Sequence, residues 1–143
     1  MRSIEYKTSL LKIAHLILLL LVGLALPSIA SDQDIAALRG KWVAVEASSN
    51  GEPPPAGMLE KITLLFVRDS VSIMGAAPIH FKADSSFTPA HIDFLNSHRQ
   101  VGIYLLDGDT LKMCSGQAGD RPTAFTTEKF TDHTYFLLKR VKE

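Results

Sequence analysis

From Lys41 onward the apolar residues recur in period two, in short segments, and no stretch sustains the 3.6-residue period of a long helix. Val71 and Ile73 alternate with Ser70 and Ser72, Ile79 and Phe81 with His80 and Lys82, and Ile92 and Phe94 with His91 and Asp93. Leu111 and Met113 bracket Lys112 in the same way. A chain that buries one face and wets the other at every second residue is building antiparallel sheet. The alternation predicts strands over residues 41–48, 61–67, 70–74, 78–83, 91–95, 100–106, 110–115 and 134–141, each of ordinary strand length. Asp107-Gly108 is the strongest hairpin signal, because glycine supplies the positive φ of a tight turn, and Arg68-Asp69 is a similarly short link. Residues 84–89 and 96–99 read as polar turns, whereas 49–60, with Pro53-Pro54-Pro55, and 116–133 are long connections. The fold expected is all-β: an antiparallel, eight-stranded up-and-down barrel, since closure removes the exposed edges, with an open sandwich as the alternative. A short helical turn over 32–38 precedes it, with Ser31 and Asp34 in capping-box spacing.

The segment before that turn follows a different grammar. Arg2, Lys7 and Lys12 are set against Glu5, an apolar run extends from Ile13 to Leu26, and Pro27 leads into Ser28-Ile29-Ala30. A basic stretch, a short apolar stretch and small residues at −3 and −1 of a cut after Ala30 make residues 1–30 a secretory signal peptide. The apolar run falls short of the ~20 residues that a membrane-spanning helix needs. No stable span is expected after cleavage. Residues 31–143 then form the folded domain, exported to the periplasm or the extracellular space.

Removing the signal changes the charge argument little. The whole chain of 143 residues has 15 basic and 15 acidic side chains, and the exported part is about two charges negative. Neither a nucleic acid nor an anionic surface is implied. One cysteine, Cys114, closes no intrachain disulfide, and the His and Cys residues have no zinc-cage spacing, so neither a metal nor a cofactor is expected.

Leu38-Arg39-Gly40-Lys41-Trp42 carries the Gly-x-Trp element that opens lipocalin-type barrels. Further matching segments are Asn50-Gly51-Glu52-Pro53, the run from Gly102 to Cys114, Asp120-Arg121-Pro122-Thr123-Ala124-Phe125, and Leu137-Leu138-Lys139-Arg140. With these in order, the chain resembles the small exported lipocalin-like domain of unknown function abundant in planctomycete-type bacteria. The resemblance implies a lipocalin-like barrel and lends no activity.

Trp42 stands where the barrel floor is expected, and the resemblance to lipocalin-type barrels implies that Arg140, which shares parity with Phe136 and Leu138, stacks on its ring, a contact of about 0.5–2 kcal/mol. Gly40 and Gly108 complete this structural set. Asp120, Arg121 and Phe125 are the candidate loop site, because a charge pair and an aromatic in a long loop suit binding. The structural alternative has Asp120 and Arg121 clamping the loop and Phe125 capping the barrel. His80 opposite Asp93, with Lys82 opposite His91, would make only a weak surface metal site. No catalytic or phosphate-binding motif occurs, which ranks an enzyme third among the functions. Cys114, in an apolar strand, reads as a small buried hydrophobe.

Strand parity turns Ile62, Leu64, Phe66, Val71, Ile73, Phe81, Phe94 and Met113 inward, together with Ile79, Ile92 and Leu111. If the barrel is hollow, that lining suits a carrier of a neutral hydrophobic small molecule, because no inward cation waits for a carboxylate. If these side chains fill it, the alternative is an interaction module that binds an envelope protein.

Overall fold

A computed structural model of the chain describes residues 29–117 and 119–143. The basic and apolar parts of the expected signal lie outside the described residues. Helix α1 (Ile29–Leu38) leads into eight strands: β1 (Gly40–Ser49), β2 (Thr63–Val67), β3 (Ser70–Ile73), β4 (Ile79–Asp84), β5 (Ala90–Phe94), β6 (Val101–Asp107), β7 (Thr110–Gly116) and β8 (Thr134–Arg140). Each pairs antiparallel with the next, and β1 also pairs with β8, from Trp42↔Arg140 to Ser49↔Thr134, so the sheet closes into a barrel. The period-two segments and the strands coincide within a residue or two. The largest difference is at the start of β2, where Leu59–Lys61 forms a turn of 3₁₀ helix.

Closure depends on β1, the longest strand. Its first half pairs with β2 from Gly40↔Phe66 to Val43↔Thr63, while a bulge between Ala44 and Glu46 shifts its register against β8. A bulge bends a strand and increases its twist, which carries the sheet around to meet its own edge. The extra residue also shifts the inward parity, from Trp42 and Ala44 before it to Ala47 after it. Pairing is shortest between β3 and β4, with only Ser70↔His80 and Val71↔Ile79 in register.

The inward residues form one cluster that includes every side chain expected to line the interior. Phe66 and Phe81 meet edge to face at 5.2 Å between centroids, a geometry that suits the aromatic quadrupole. Trp42, Leu64, Val71, Ile92, Leu111 and Leu138 have no accessible surface, and Phe66, Phe81 and Met113 have almost none. A side chain beside a void wide enough for water would retain some surface, and these residues retain next to none.

A second apolar layer lies outside the wall. Ile103, Cys114 and Tyr135, neighbours across β6, β7 and β8, are covered by Phe125 and Leu137. Phe125 therefore covers the outer wall instead of capping a barrel end. Loop 117–133 supplies that cover, with the Cys114 thiol donating to the Thr126 carbonyl at 3.5 Å.

The helix also departs from expectation. It begins at Ile29, two residues before Ser31, so Ser31 lies inside the helix and not at its N-terminal boundary. The expected cut after Ala30 falls within its first turn. Asp34 turns outward and accepts the Ser85 backbone N–H at 2.7 Å, tying α1 to the β4–β5 loop. No helix among the described residues is long and apolar enough to cross a membrane.

Candidate functional site

The best-defined constellation is at the end of the barrel where α1 joins β1. Gly40 follows the helix with φ near +114°, a conformation that L side chains rarely adopt. A Cβ there would also stand 3.3 Å from Arg140 Nη1. With that space left open, the Arg140 guanidinium lies 4.2 Å from the centre of the Trp42 ring. It donates to the carbonyls of Arg39 and Ala37, and Nε reaches Asp109 Oδ1 at 3.2 Å. The indole Nε1 donates to the Leu38 carbonyl at 2.9 Å. The last carbonyls of a helix have no intrahelical donor and carry the negative end of its dipole. Here three consecutive carbonyls are satisfied by one tryptophan and one cationic side chain, which ties the helix, the first strand and the last strand into one joint.

Asp109 belongs to the same joint. A hydrogen bond from Lys142, at 3.1 Å, is the main cause that holds its carboxyl below the ordinary carboxylate range, with the charges of Lys142 and Arg140 adding to it. It sits in the turn Gly108-Asp109, which the pair Asp107↔Thr110 closes. Gly108 has φ near +54° and nothing within 4 Å of where a Cβ would stand, so the turn needs its conformation and not its small size.

The candidate loop residues do not converge on one cavity. Arg121 donates to the Gly102 carbonyl at 2.6 Å and to Asp93 Oδ1 at 2.7 Å, with a longer contact of 3.5 Å to the Ile92 carbonyl. Ile92 and Gly102 face each other across β5 and β6, so the guanidinium pins the loop to that seam. Asp120 turns the other way and meets His133 Nε2 at 2.9 Å, joining the start of the loop to its end. A cleft of about 210 Å³ within the loop is lined by Pro122, Thr123, Thr126, Glu128 and His133 among others, and none of Asp120, Arg121 and Phe125 borders it. The arrangement is that of a clamp.

The β4–β5 hairpin corrects the histidine pairing. Lys82 faces Asp93 and Asp84 faces His91, two residues away from the expected register, because Asp84 and Ala90 join the strands and shorten the loop to 85–89. A shift of two keeps every side chain on its face. His80 is paired instead with Ser70 and Asp69, at 3.1 and 3.3 Å. Among the described residues no three His, Cys, Asp or Glu side chains are grouped to hold a metal ion.

Sequence reasoning missed a cleft of about 280 Å³ between α1, the β4–β5 loop and β6, bordered by Asp34, Phe87, Pro89 and Tyr104. Tyr104 is the one signal that could have marked it: a polar-tipped aromatic at an inward position of an otherwise aliphatic strand.

The residues thus define a closed eight-stranded antiparallel barrel with a helix locked to one end and a loop clamped to its wall. No family model, no curated protein and no solved structure matches the chain.

Proposed function

We propose that the protein is an exported, lipocalin-like up-and-down barrel with a filled interior, acting through its outer surface as a protein-interaction module of the cell envelope. The observation that carries this reading is the absence of accessible surface at Leu64, Val71, Ile92 and Leu111. A carrier of a neutral hydrophobic molecule needs those side chains to border a chamber. An eight-stranded barrel is just wide enough for side chains to fill, and bulky residues here occupy that width. Export is supported by the basic, apolar and small-residue order of the first 30 residues. Binding through the outside is supported by exposed aliphatic side chains on the first two strands, Val45, Leu65 and Val67.

Native mass spectrometry of the protein purified from the exported fraction tests the reading. The expected spectrum contains the chain free of small molecules, together with a stoichiometric complex with an envelope protein that is lost in the Leu65→Lys/Val67→Lys variant. A co-purifying lipid-like mass retained on the folded chain overturns it in favour of the carrier.

A further inference from the structure

The cleft beside α1 combines features that a surface depression formed by loose packing would lack. Its walls are largely apolar, with Ala37 from the helix, Phe87 and Pro89 from the β4–β5 loop, and Leu106 from β6. Within them stands Tyr104, only 4% exposed. A buried tyrosine hydroxyl ordinarily finds a hydrogen-bond partner. Tyr104 has none among the described residues, where no side-chain polar atom is both fully enclosed and unpaired. Its hydroxyl therefore opens onto the cleft that the residue borders.

The charge in the cleft has one sign. Asp34 borders it and gives one carboxylate oxygen to the Ser85 N–H, leaving the other without a partner among the described residues. No lysine or arginine lines it. Burial pushes the Tyr104 hydroxyl up to about 12, and the negative charges of Asp34 and Asp84 push in the same direction. Burial itself disfavours charge of either sign, and it is the two carboxylates, Asp34 at the border and Asp84 nearby, that favour a positive group beside that oxygen. Phe87, half exposed, is stacked on the His91 ring at 3.8 Å with the planes 4° apart, which fixes an aromatic face at the cleft border. Aromatic faces attract cations and planar groups alike.

We propose that this cleft is a binding site for a small organic ammonium, a primary amine carried on an apolar planar body, with Asp34 and Tyr104 receiving the amine and Phe87 and Pro89 receiving the body. The volume, at the low end for small-molecule sites, limits the ligand to roughly the size of one substituted ring. The cleft shares Tyr104 and Leu106 with the edge of the core cluster, but the proposal requires neither a filled interior nor the partner-binding role and is tested independently of both.

The test uses three probes with the same body: 2-phenylethylamine, 2-phenylethanol and phenylacetate, each titrated into the isotope-labelled full-length protein at neutral pH. The expected result is saturable binding of the amine, with amide shifts confined to 34–37, 85–90 and 104–106, and affinity at least about tenfold weaker for the alcohol and the carboxylate. Asp34→Asn retains an acceptor for the Ser85 N–H and should weaken the amine by about tenfold. Should Asp34→Asn fail to fold, Phe87→Ser, at an exposed position, should still weaken the amine several-fold. No saturation by the amine up to about 10 mM overturns the proposal, as does equal affinity for the three probes or undiminished binding in the variants.

Discussion

At the scale of single residues, two side chains make predictions that differ in kind. Trp42 has no exposed surface and spends its indole N–H on a helix carbonyl, so Trp42→Ala both empties the core and leaves the Leu38 carbonyl without its donor. A cost of about 3–5 kcal/mol is expected, visible as a fall in urea midpoint and melting temperature. Arg140→Ala leaves the core volume intact and should cost about 1–3 kcal/mol, chiefly from lost charge-assisted bonds. Unchanged melting of either variant would mean that the helix joint does not hold the barrel closed. Cys114 is a question of access. Burial pushes its thiol up to about 11, which leaves on the order of a thousandth of it as thiolate at pH 8. Iodoacetamide should label the native protein at least about a hundredfold more slowly than the urea-unfolded chain. Similar rates in the two states would place Cys114 outside the second apolar layer.

At the scale of elements, the strands were legible because period two survives wherever one face meets water, as in Val71/Ile73 against Ser70/Ser72 on β3. The signal weakens on β6, where Val101, Ile103 and Leu105 alternate with Gly102, Tyr104 and Leu106 and both faces are largely apolar. The reason is loop 117–133, which covers the outer wall and makes Ile103, Cys114 and Tyr135 into core. No local pattern reports that a remote loop will cover a strand. The Trp42–Arg140 stack was legible from the resemblance carried by the Gly-x-Trp element together with the parity of β8, whereas the ammonium cleft draws on α1, the β4–β5 loop and β6, three segments without a shared motif. The loop clamp carries its own prediction. Removing the Arg121 guanidinium cuts its bonds to Asp93 and the Gly102 carbonyl, so Arg121→Ala should accelerate Cys114 labelling several-fold while lowering the melting temperature by only a few degrees. A labelling rate equal to that of the parent protein would show that the loop is held in place without this residue.

At the scale of the whole molecule, the described residues bury no charged side chain, and the buried titratable groups are acids kept neutral. Burial raises Tyr104 to about 12, Cys114 to about 11, and Tyr135 as well. For an acid whose folded pKa is raised, the folded state holds its proton longer than the unfolded chain does, so its share of stability is complete below the unfolded pKa and falls as pH rises toward the folded value. The ordinary values for cysteine and tyrosine are 9.0 and 10.0. Loss should therefore begin near pH 9 with Cys114 and steepen above pH 10 as Tyr104 and Tyr135 join it. Each proton released only by the unfolded chain lowers stability by up to about 1.4 kcal/mol per pH unit. On the acid side, Asp84 and Asp109 are held below their ordinary value by hydrogen bonds from Ser86 and Lys142 respectively. Their contribution is present above that value and is lost as pH falls through the folded one. Urea midpoints measured across this range should form a plateau through neutral pH with a steep alkaline edge. Cys114→Ala should move the onset of that edge upward, and Tyr104→Phe should flatten its upper part. An alkaline edge identical in the parent protein and both variants would mean that these groups are solvated in the folded chain, contrary to a barrel closed around Tyr104 and a loop closed over Cys114.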